Sequence, residues 1–317
     1  MSRVDIVIPT FNGREHLRNC LNAVQAQSLS GVNAIVVDDG SSDGTDHLIA
    51  KDFPEVTYLA LPGNLGFAAA CNAGIAGGTA DYVALLNNDA IPEPDWLETL
   101  VEAMDRLPDA GALASKILLA DGSGRFHAAG DTFSWSGLPN SRGVWEQDHG
   151  QYDSEEPVFS ACAAAAIYRR HALEQAANFT GEIFDTDFFM YCEDIDLGWR
   201  LRLLGWEIVY IPNAVVRHHL SATGGGSLAS YYVSRNMFAV LAKNLPGRLR
   251  RQVWPRFLVQ QSKQFLETLW KVREPAARAR LRGILVGPRF ALQQRSKRRL
   301  IQTSSRVTPQ EISRHLS

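Results

Sequence analysis

The sequence predicts an α/β protein with a mostly parallel sheet, helices on both faces of that sheet, and a helical segment at the C-terminal end. Through the first hundred residues, short apolar runs alternate with longer segments of helical periodicity, which is typical of βαβ units. Polar turns rich in Asp and Asn follow several of the apolar runs. In open α/β sheets such turns lie at the edge where ligands bind.

Eight elements are predicted before residue 108 from apolar periodicity and flanking turn residues. The clearest is the run 82–86, which is too short for a helix and shows no alternation, as expected of a strand buried on both faces. In chain order, the predicted elements are a strand at 4–8, a helix at 14–27, a strand at 34–37, a helix at 45–52, a strand at 56–59, a helix at 67–76, a strand at 82–86 and a helix at 96–107.

The pattern is less regular between residues 110 and 220, where core segments alternate with polar loops. An apolar run at 206–211 is expected to lead to a strand end near His218, and three consecutive glycines at 224–226 predict a loop able to close over a ligand. The predicted strands or core pieces are 111–119, 126–129 and 158–168, and the predicted surface loops are 122–125 and 135–152.

Helical periodicity dominates from about residue 227 onward. Pro and Gly at 245–247 and 287–288 are predicted to separate these helices. The predicted helices are 229–244, 249–272, 275–285 and 289–303. We therefore expect an α/β domain at residues 1–228 and a basic helical C-terminal region at residues 229–317.

The charged residues are distributed very unevenly, although the formal net charge is only −2. Residues 1–234 contain 13 Lys and Arg against 31 Asp and Glu, whereas residues 235–317 contain 19 against 3. A basic helical segment typically meets an anionic surface, which is a bilayer leaflet, a nucleic acid or the acidic part of the same protein. The alternative is that these cations only form a solvated helix face.

The cysteines and the apolar runs indicate the compartment. The four cysteines stand far apart without CxxC spacing, which argues against a zinc site or a disulfide framework and fits a reducing cytosol: Cys20, Cys71, Cys162 and Cys192. The N-terminal apolar stretch contains Asp5 and does not predict a signal peptide. The longest uncharged run, 56–80, is broken by Pro62 and several glycines, so it does not predict a membrane span.

Three groups of acidic residues close predicted strands or open a predicted helix. Asp38 and Asp39 follow the second strand, and Asp89 follows the fourth. Glu193 and Asp194 begin a helix after an aromatic run. A carboxylate beside apolar groups binds its proton more tightly, which suits a general base near neutral pH.

Neighbouring residues in the third group are expected to have different roles. Asp196 and Arg200 are four positions apart and are predicted to pair on one helix face, away from Asp194. Glu193 is expected either to hydrogen-bond an incoming hydroxyl or to cap the helix. His218, at a predicted strand end, is a candidate to complete a metal site with the acid that follows the fourth strand.

Six short motifs occur in a fixed order along the chain: Ile8-Pro9-Thr10-Phe11-Asn12, Val36-Val37-Asp38-Asp39-Gly40-Ser41, Gly63-Asn64-Leu65-Gly66-Phe67-Ala68, Leu85-Leu86-Asn87-Asn88-Asp89, Glu193-Asp194-Ile195-Asp196 with Arg200, and Val216-Arg217-His218. In this order they resemble family 2 glycosyltransferases over about residues 3–240. The resemblance is greatest to the bacterial rhamnosyltransferase-like branch that builds cell-surface polysaccharides.

The resemblance implies a GT-A fold that binds a nucleotide-diphosphate sugar and transfers the sugar with inversion. It implies that Asp194, with Glu193 beside it, provides the catalytic base, and that Asp89 and His218 hold a metal. The implied nucleotide-binding residues are Pro9, Thr10, Asn12, Asp38, Asp39, Asn64, Gly66, Asn72, Asn87 and Asn88.

One residue departs from the family pattern. Asn87 stands where the family's DxD motif has its first acid. Its amide oxygen would reach a metal or hydrogen-bond the ribose directly. A divalent cation, Mg²⁺ or Mn²⁺, is still expected, because a hard cation offsets the negative charge of a departing diphosphate.

The expected partners are a UDP-, dTDP- or GDP-linked sugar donor and a glycan or lipid-linked acceptor, with no nucleic acid. The C-terminal region is expected to contact an anionic membrane surface, which places the protein in the cytoplasm and peripherally on the inner face of the cell membrane. The residues named for the apolar side of that contact, unless they pack on the α/β domain instead, are Trp254, Phe257, Leu258, Phe265, Leu269 and Trp270.

Two alternative functions stay open from the sequence. A sugar-phosphate nucleotidyltransferase shares the nucleotide-binding topology, but it needs a glycine-rich basic loop after the first strand, which residues 9–13 do not form. A non-catalytic nucleotide-sugar or glycan-binding protein with a degenerate metal site is supported only by Asn87, and the intact Glu193 and Asp194 argue against it.

Overall fold

The computed structural model describes residues 3–219 and 226–317. All eight elements predicted before residue 108 are present, with their ends within two residues of the prediction, and one short strand was not predicted. These elements are β1 (Val4–Thr10), α1 (Arg14–Gln25), β2 (Val32–Asp38), α2 (Thr45–Asp52), β3 (Thr57–Ala60), α3 (Phe67–Ala76), β4 (Tyr82–Leu86), β5 (Ala90–Pro92) and α4 (Trp96–Arg106).

The middle of the chain adds short strands and two helices around the same sheet. The predicted core piece 158–168 becomes a strand only from Ala165 onward, and α5 was not predicted. The elements are β6 (Ala110–Leu119), β7 (Phe126–Ala128), β8 (Asp131–Phe133), β9 (Pro139–Ser141), β10 (Glu156–Pro157), β11 (Ala165–Arg169), α5 (Arg170–Ala177), a 3-10 turn (Thr186–Phe188), α6 (Glu193–Leu203) and β12 (Glu207–His218).

The described C-terminal part is helical, as predicted, and consists of α7 (Gly226–Asn244), α8 (Gly247–Trp270), α9 (Pro275–Gln293), α10 (Arg295–Thr303) and α11 (Pro309–Ser313). The predicted break at Gly287 and Pro288 is wrong, because α9 continues through both residues. A Cβ atom at Gly287 would lie 2.2 Å from the Phe238 ring of α7, so this glycine permits close packing of the two helices. Of the glycine run, residues 224 and 225 lie outside the described residues.

The main sheet has the strand order β10-β12-β6-β11-β4-β1-β2-β3, with β5 paired to β12 and β7 paired to β6. β1 is parallel to β2 and β4, β3 is parallel to β2, and β12 is parallel to β6. β11 runs antiparallel between β4 and β6. The α/β fold class is confirmed, and the antiparallel β11 makes the sheet a mixed one.

Alternate residues of the central strands pack into two different cores, one on each face of the sheet. Val7 belongs to one hydrophobic cluster, and its neighbours Ile6 and Ile8 belong to the other. Helices therefore cover both faces, as predicted.

The carboxyl ends of β1, β2, β4 and β12 share one edge of the sheet. β1, β2 and β4 are mutually parallel, and Thr10 is level with Asp38. β12 points the same way as β4, because β6 is parallel to β12 and β11 is antiparallel to both β6 and β4. Polar residues that follow these strands are consequently brought to one edge.

The C-terminal helices share a core with the α/β part of the chain. Phe238, Phe257 and Ile301 are buried in the same hydrophobic cluster as Trp199 of α6. The division at residue 228 stays a prediction. No helix in the two described ranges combines the length and hydropathy needed to cross a membrane.

Candidate active site

The turn after β4 is fixed to its neighbours by hydrogen bonds from both of its asparagines. The Asn87 N–H donates to the Ala164 carbonyl at 2.9 Å. The Asn88 side-chain amide donates to Thr10 Oγ1 at 2.8 Å, which ties the turn to the end of β1. Asp89, next in the chain, is therefore held in place at the carboxyl edge of the sheet, where it is buried.

Asp89, His218 and His127 form a connected chain of polar side chains. Asp89 Oδ1 lies 2.9 Å from His218 Nε2. His218 Nδ1 lies 3.1 Å from His127 Nδ1, and the two rings stack with their centroids 4.9 Å apart. Burial, together with the nearby His218, lowers the pKa of His127 to about 4, so His127 is neutral at physiological pH.

The residues around His218 fit a divalent cation. Asn87 Oδ1 is buried without a hydrogen-bond partner in the described part of the chain, and Asn87 Nδ2 lies 3.3 Å from His218 Nε2. The two ends of an amide exchange by rotation, so either can face this point. Residues 3–219 and 226–317 contain no group of three Asp, Glu, His or Cys side chains that could hold a metal. The candidate ligand set therefore contains only two such side chains, the Asp89 carboxylate and the His218 imidazole, and its third member is the Asn87 amide oxygen.

Asp39 holds the turn that opens α3. Its carboxylate accepts the Leu65 N–H at 2.7 Å and the Gly66 N–H at 2.8 Å. Burial raises the pKa of Asp39, and these two hydrogen bonds oppose that shift. Gly66 has φ +93°, and a Cβ there would lie 2.5 Å from Phe189, so the turn requires glycine.

Asp38 and Asn12 connect the loops that follow β1 and β2. The Asp38 carboxylate accepts the Ser41 N–H at 2.8 Å and the Tyr58 hydroxyl at 2.6 Å. The Asn12 N–H donates to Ser41 Oγ, and Asn12 Oδ1 accepts the Ser42 N–H, both at 2.8 Å. An open cavity of about 610 Å³ lies beside these loops, lined in part by Asp38, Ser41, Ser42 and Tyr58.

The remaining residues named for nucleotide binding lie in different settings. Pro9 is a buried residue of β1, level with Val37, whereas Asn64 is exposed. The Asn72 side chain bonds the backbone of Phe184, since its amide donates to the carbonyl at 2.7 Å and its oxygen accepts the N–H at 2.8 Å. Asn72 thus links α3 to the segment that precedes α6.

Glu193 and Asp194 are adjacent carboxyl groups in the first turn of α6. Asp194 accepts the Ile195 N–H at 2.8 Å and the Ala163 N–H at 3.3 Å, and burial raises its pKa. Burial and the charge of Asp194 raise the pKa of Glu193 well above its ordinary value. Glu193 Oε2 is buried and has no hydrogen-bond partner among the described residues.

A third buried acid, Asp131, was missed by the sequence analysis. Its carboxylate accepts the Ser141 hydroxyl at 2.8 Å and the Ser160 hydroxyl at 3.2 Å. Burial raises its pKa to about 7, and the charge of Asp194 contributes to the shift. No local pattern around Asp131 could have revealed this, because its neighbours are brought together only by the fold. His127, a single histidine in a short strand, was missed for the same reason.

Asp194 and the turn that carries Asp89 bond to adjacent peptide units. Ala163 and Ala164 are consecutive, and the first donates to Asp194 while the second accepts from Asn87. Burial raises the pKa of the Cys71 thiol, and the charges of Glu193, Asp194 and Asp39 raise it further. The acids after β2, after β4 and at the start of α6 therefore meet in one region.

The predicted pair of Asp196 and Arg200 is confirmed. Arg200 Nε lies 3.0 Å from Asp196 Oδ2, and both side chains are fully buried. Lys243 of α7 lies 2.9 Å from Asp196 Oδ1 and also pairs with Asp185. One cation of the basic C-terminal region thus neutralises acids of the α/β part.

Comparison with known proteins gives a consistent family assignment. A profile of the family described as Glycosyl transferase family 2 matches residues 5–176. The chain is 31% identical over 258 residues to the N-acetylglucosaminyl-diphospho-decaprenol L-rhamnosyltransferase of Mycobacterium tuberculosis. That match covers 73% of this chain and 80% of the relative.

Two solved structures share the fold. GalNAc-T7 with UDP, GalNAc and Mn²⁺ matches with a TM-score of 0.60 at 14% identity, over 77% of this chain and 48% of that chain. TarS of S. aureus matches with a TM-score of 0.57 at 17% identity, over 96% of this chain and 55% of that chain. This chain spans about half the length of both proteins, and at these identities the likeness shows a fold of GT-A type alone. The profile match and the rhamnosyltransferase relative show that the chain belongs to glycosyltransferase family 2.

Proposed function

We propose that this chain transfers a sugar from a nucleotide-diphosphate donor to an acceptor hydroxyl, with inversion at the anomeric carbon. The observation that carries the proposal is the pair of consecutive peptide units at Ala163 and Ala164. They hold Asp194 on one side and the Asn87 turn on the other. The proposed base and the proposed leaving-group site are thus neighbours, which lets an acceptor hydroxyl and a donor sugar meet in line between them.

Asp194 acts as the general base in this proposal. It takes the proton of the acceptor hydroxyl while the new C–O bond forms and the nucleoside diphosphate leaves with the bonding electrons. A raised pKa brings a carboxylate closer to the affinity a base needs at neutral pH, and such a base contributes about 10²–10⁴-fold in rate. Glu193 is assigned a hydrogen bond to the substrate, because its buried Oε2 has no partner among the described residues and burial raises its pKa well above its ordinary value.

Asp89, His218 and Asn87 would hold the divalent cation, Mg²⁺ or Mn²⁺. When bound there, the cation offsets the charge on the departing diphosphate. His127 fixes the ring of His218 from the other side. Asn88, through its bond to Thr10, keeps the turn at the strand edge.

The nucleotide is proposed to lie along the loops after β1, β2 and β3. Asp38, Asp39 and Asn72 already use their polar side-chain atoms on the protein, so we assign them the role of shaping the pocket rather than contacting the nucleotide with those atoms. The residues proposed to contact the nucleotide are Pro9, Thr10, Asn12, Asn64, Gly66, Asn87 and Asn88.

The donor is proposed to carry a rhamnosyl or another hexosyl group, and the acceptor is proposed to be a lipid-linked glycan of cell-surface polysaccharide synthesis. The support is the relative whose name specifies an N-acetylglucosaminyl-diphospho-decaprenol acceptor and rhamnosyl transfer. A lipid-linked acceptor requires the enzyme to reach a bilayer. We therefore propose a cytoplasmic location with peripheral contact to the inner face of the membrane.

The surface of α8 and α9 supports that contact. Residues 247–293 contain eleven Lys and Arg, all exposed, and two Glu. Trp270 is 91% exposed and Leu285 is 67% exposed. Of the residues named from the sequence for an apolar face, Phe257 is buried and Trp254 and Phe265 are half-buried, so they pack inside the protein. The exposed apolar residues in this region include Leu258, Leu266, Leu269, Trp270, Val272 and Leu285.

Vesicle co-sedimentation tests the membrane contact. Each Lys or Arg near an anionic leaflet contributes about 1 kcal/mol, so binding to phosphatidylglycerol vesicles is expected at low salt and should weaken as salt rises. Trp270→Ala should weaken vesicle binding further. Trp145→Ala, which removes a tryptophan that is 55% exposed between β9 and β10, should not weaken it. Equal, salt-insensitive binding to neutral vesicles would contradict the proposal.

A thermal-shift panel tests the donor site. Wild-type protein is mixed with UDP-, dTDP- and GDP-sugars, with and without Mn²⁺. A ligand that binds only the folded state stabilises it by about 2.7 kcal/mol at a concentration of 100 Kd, so one donor class should raise the Tm in a Mn²⁺-dependent way. No shift with any donor, at millimolar concentrations with Mn²⁺, would argue against a nucleotide-sugar enzyme.

A further inference from the structure

We propose that Asn236 and Arg235 of α7 are positioning residues for the catalytic pair, because they clamp the backbone segment 187–192 that delivers Glu193 and Asp194 to the site. The inference goes beyond the proposed function in assigning a role to the C-terminal region. It rests on the proposed function where kcat is measured, but not where hydrogen exchange of the clamped segment is measured.

The segment before α6 has an unfavourable backbone conformation. Phe189, Tyr191 and Cys192 have φ values of +66°, +66° and +67°. Left-handed backbone is disfavoured for residues with a Cβ, and three such residues within four positions persist only when their surroundings impose the conformation. Cys192 immediately precedes the first residue of α6, so this conformation sets where that helix begins.

Asn236 supplies the hydrogen bonds that impose this conformation. Its side chain is fully buried, and its amide donates to the carbonyls of Phe188 at 3.2 Å, Met190 at 3.0 Å and Tyr191 at 2.7 Å. Its oxygen accepts from Arg235 Nε at 2.8 Å, which fixes the orientation of the amide.

Arg235 extends the clamp by one residue. Its Nη2 donates to the carbonyls of Asp187 at 2.9 Å and Phe188 at 3.0 Å. Its guanidinium lies over the rings of Tyr232 at 4.9 Å and Phe290 at 4.3 Å, so α7 and α9 together hold it. Two adjacent side chains of α7 therefore bind four of the five carbonyls between residues 187 and 191, all but that of Phe189.

The carbonyl of Phe189 is bound from the opposite side of the segment. It accepts the Ala68 N–H at 3.2 Å, at the start of α3 and next to the Gly66 turn that Asp39 holds. The clamped segment thus contacts the turn proposed to face the nucleotide and directly precedes the proposed base. Its Tyr191 ring is half-buried within reach of both Glu193 and Asp89, whose charges add to burial in raising the pKa of the phenol.

Asn236→Leu tests the proposal, because leucine has the same branched side-chain skeleton as asparagine and cannot donate to the three carbonyls. We expect hydrogen exchange of the amides at 188–193 to accelerate by at least about tenfold, since exchange reports local opening. We expect kcat for donor turnover to fall at least about tenfold while KM for the donor changes less than about threefold, since a misplaced base affects chemistry more than binding.

Gln302→Ala is the matched control. Gln302 also donates a side-chain amide to carbonyls of the α7 region, at Asn244 (2.8 Å) and Lys243 (3.4 Å), but at the end of the helix away from the clamp. It should leave exchange at 188–193 and kcat unchanged. Arg235→Leu provides a second variant if Asn236→Leu does not fold. It removes two of the five hydrogen bonds to the carbonyls of residues 187–191 and keeps an aliphatic side chain.

The outcomes separate this inference from the proposed function. Unchanged exchange at 188–193 in a folded Asn236→Leu or Arg235→Leu protein overturns the clamp, whether or not the enzyme is active. Faster exchange together with an unchanged kcat overturns the positioning role. If the wild type turns over no nucleotide sugar, the proposed function fails, while accelerated exchange in the variants still supports the clamp.

Discussion

His218 is placed between two groups that together decide its tautomer. Its Nε2 faces Asp89 Oδ1 and its Nδ1 faces His127 Nδ1, at 2.9 and 3.1 Å. Only one hydrogen fits between two facing ring nitrogens. Because Asp89 can only accept, His218 Nε2 carries the hydrogen that faces Asp89, and Nδ1 accepts the hydrogen of His127. A cation held at Nε2 would take the place of that hydrogen, and Nδ1 would then donate to His127, as metal-binding histidines usually do with a neighbouring acceptor.

Loss of His127 is expected to weaken cation binding although it is not a proposed ligand. Partners that orient a metal-binding histidine typically contribute 10–100-fold to affinity, so His127→Ala should raise the Kd for Mn²⁺ by about that factor. Titration calorimetry of the purified protein measures the change. His171→Ala, which removes an exposed imidazole elsewhere, should leave the Kd unaltered, and an unaltered Kd in His127→Ala would contradict the assigned role.

Asp131 makes stability depend on pH with a defined sign. Its folded-state pKa is raised to about 7, above the value near 3.9 expected of an unfolded chain. Because the folded state binds the proton more tightly, the free energy of unfolding falls as pH rises through this window. The contribution is absent below about pH 4 and reaches a destabilisation on the order of 4 kcal/mol above pH 7.

Asp131→Asn should remove this dependence. The neutral amide keeps the size of the carboxyl, and the two serine hydroxyls that donate to Asp131 can rotate to suit it. The variant is expected to be more stable than the wild type at pH 8 and no more stable at pH 4.5, as measured by urea unfolding at both pH values. An equal difference at the two pH values would show that Asp131 ionises normally.

At the scale of elements, the helices show where local signals fail. Pro288 is a strong helix breaker in sequence terms, yet α9 passes through it, and the adjacent Gly287 packs closely on Phe238 of α7. β11 was predicted only as part of a core piece, since its antiparallel place between β4 and β6 depends on contacts distant in sequence. Apolar periodicity was enough to predict that the helices and strands exist. The continuation of α9 through Pro288 and the antiparallel position of β11 depend on packing.

Helix α7 is joined to the α/β part by a buried ion network. Lys243 is fully buried and pairs with Asp185 and Asp196. Burial alone would raise the pKa of Asp185, but the charges of Lys243 and Lys297 hold that pKa well below its usual range. The Asp185 carboxylate is therefore ionised in the folded state and depends on these cations.

Lys243→Met should be strongly destabilising, because it leaves buried carboxylates without their shared cation. Removing one partner from such a pair costs about 3–5 kcal/mol, to be measured as a lower free energy of unfolding in urea. Lys263→Met replaces an exposed lysine of α8 and should change stability by less than about 0.5 kcal/mol. A similar small effect at position 243 would mean that the network contributes little.

At the scale of the whole molecule, the chain order of strands and their polar ends was predictable. β1, β2 and β4 are parallel, so their carboxyl ends lie at one edge of the sheet. Asp39 follows β2 and Asp89 follows β4, and both therefore lie at that edge. The stacked position of His127 and the burial of Asp131 were not predictable. The first depends on the pairing of β7 with β6, and the second on contacts of β8 with β9 and Ser160. The clamp from α7 onto the segment before Glu193 joins two parts of the chain that the sequence suggested were separate.

The central claim is that the acids of three distant segments form one glycosyl-transfer site with Asp194 as its base. Donor turnover by Asp194→Asn, with nucleotide Kd measured in parallel, tests it most directly. The prediction is a kcat about 10²–10⁴-fold below wild type with a Kd within about twofold, and wild-type behaviour for Asp81→Asn, which alters an exposed carboxylate just before β4. A kcat for Asp194→Asn within about threefold of wild type would contradict the claim.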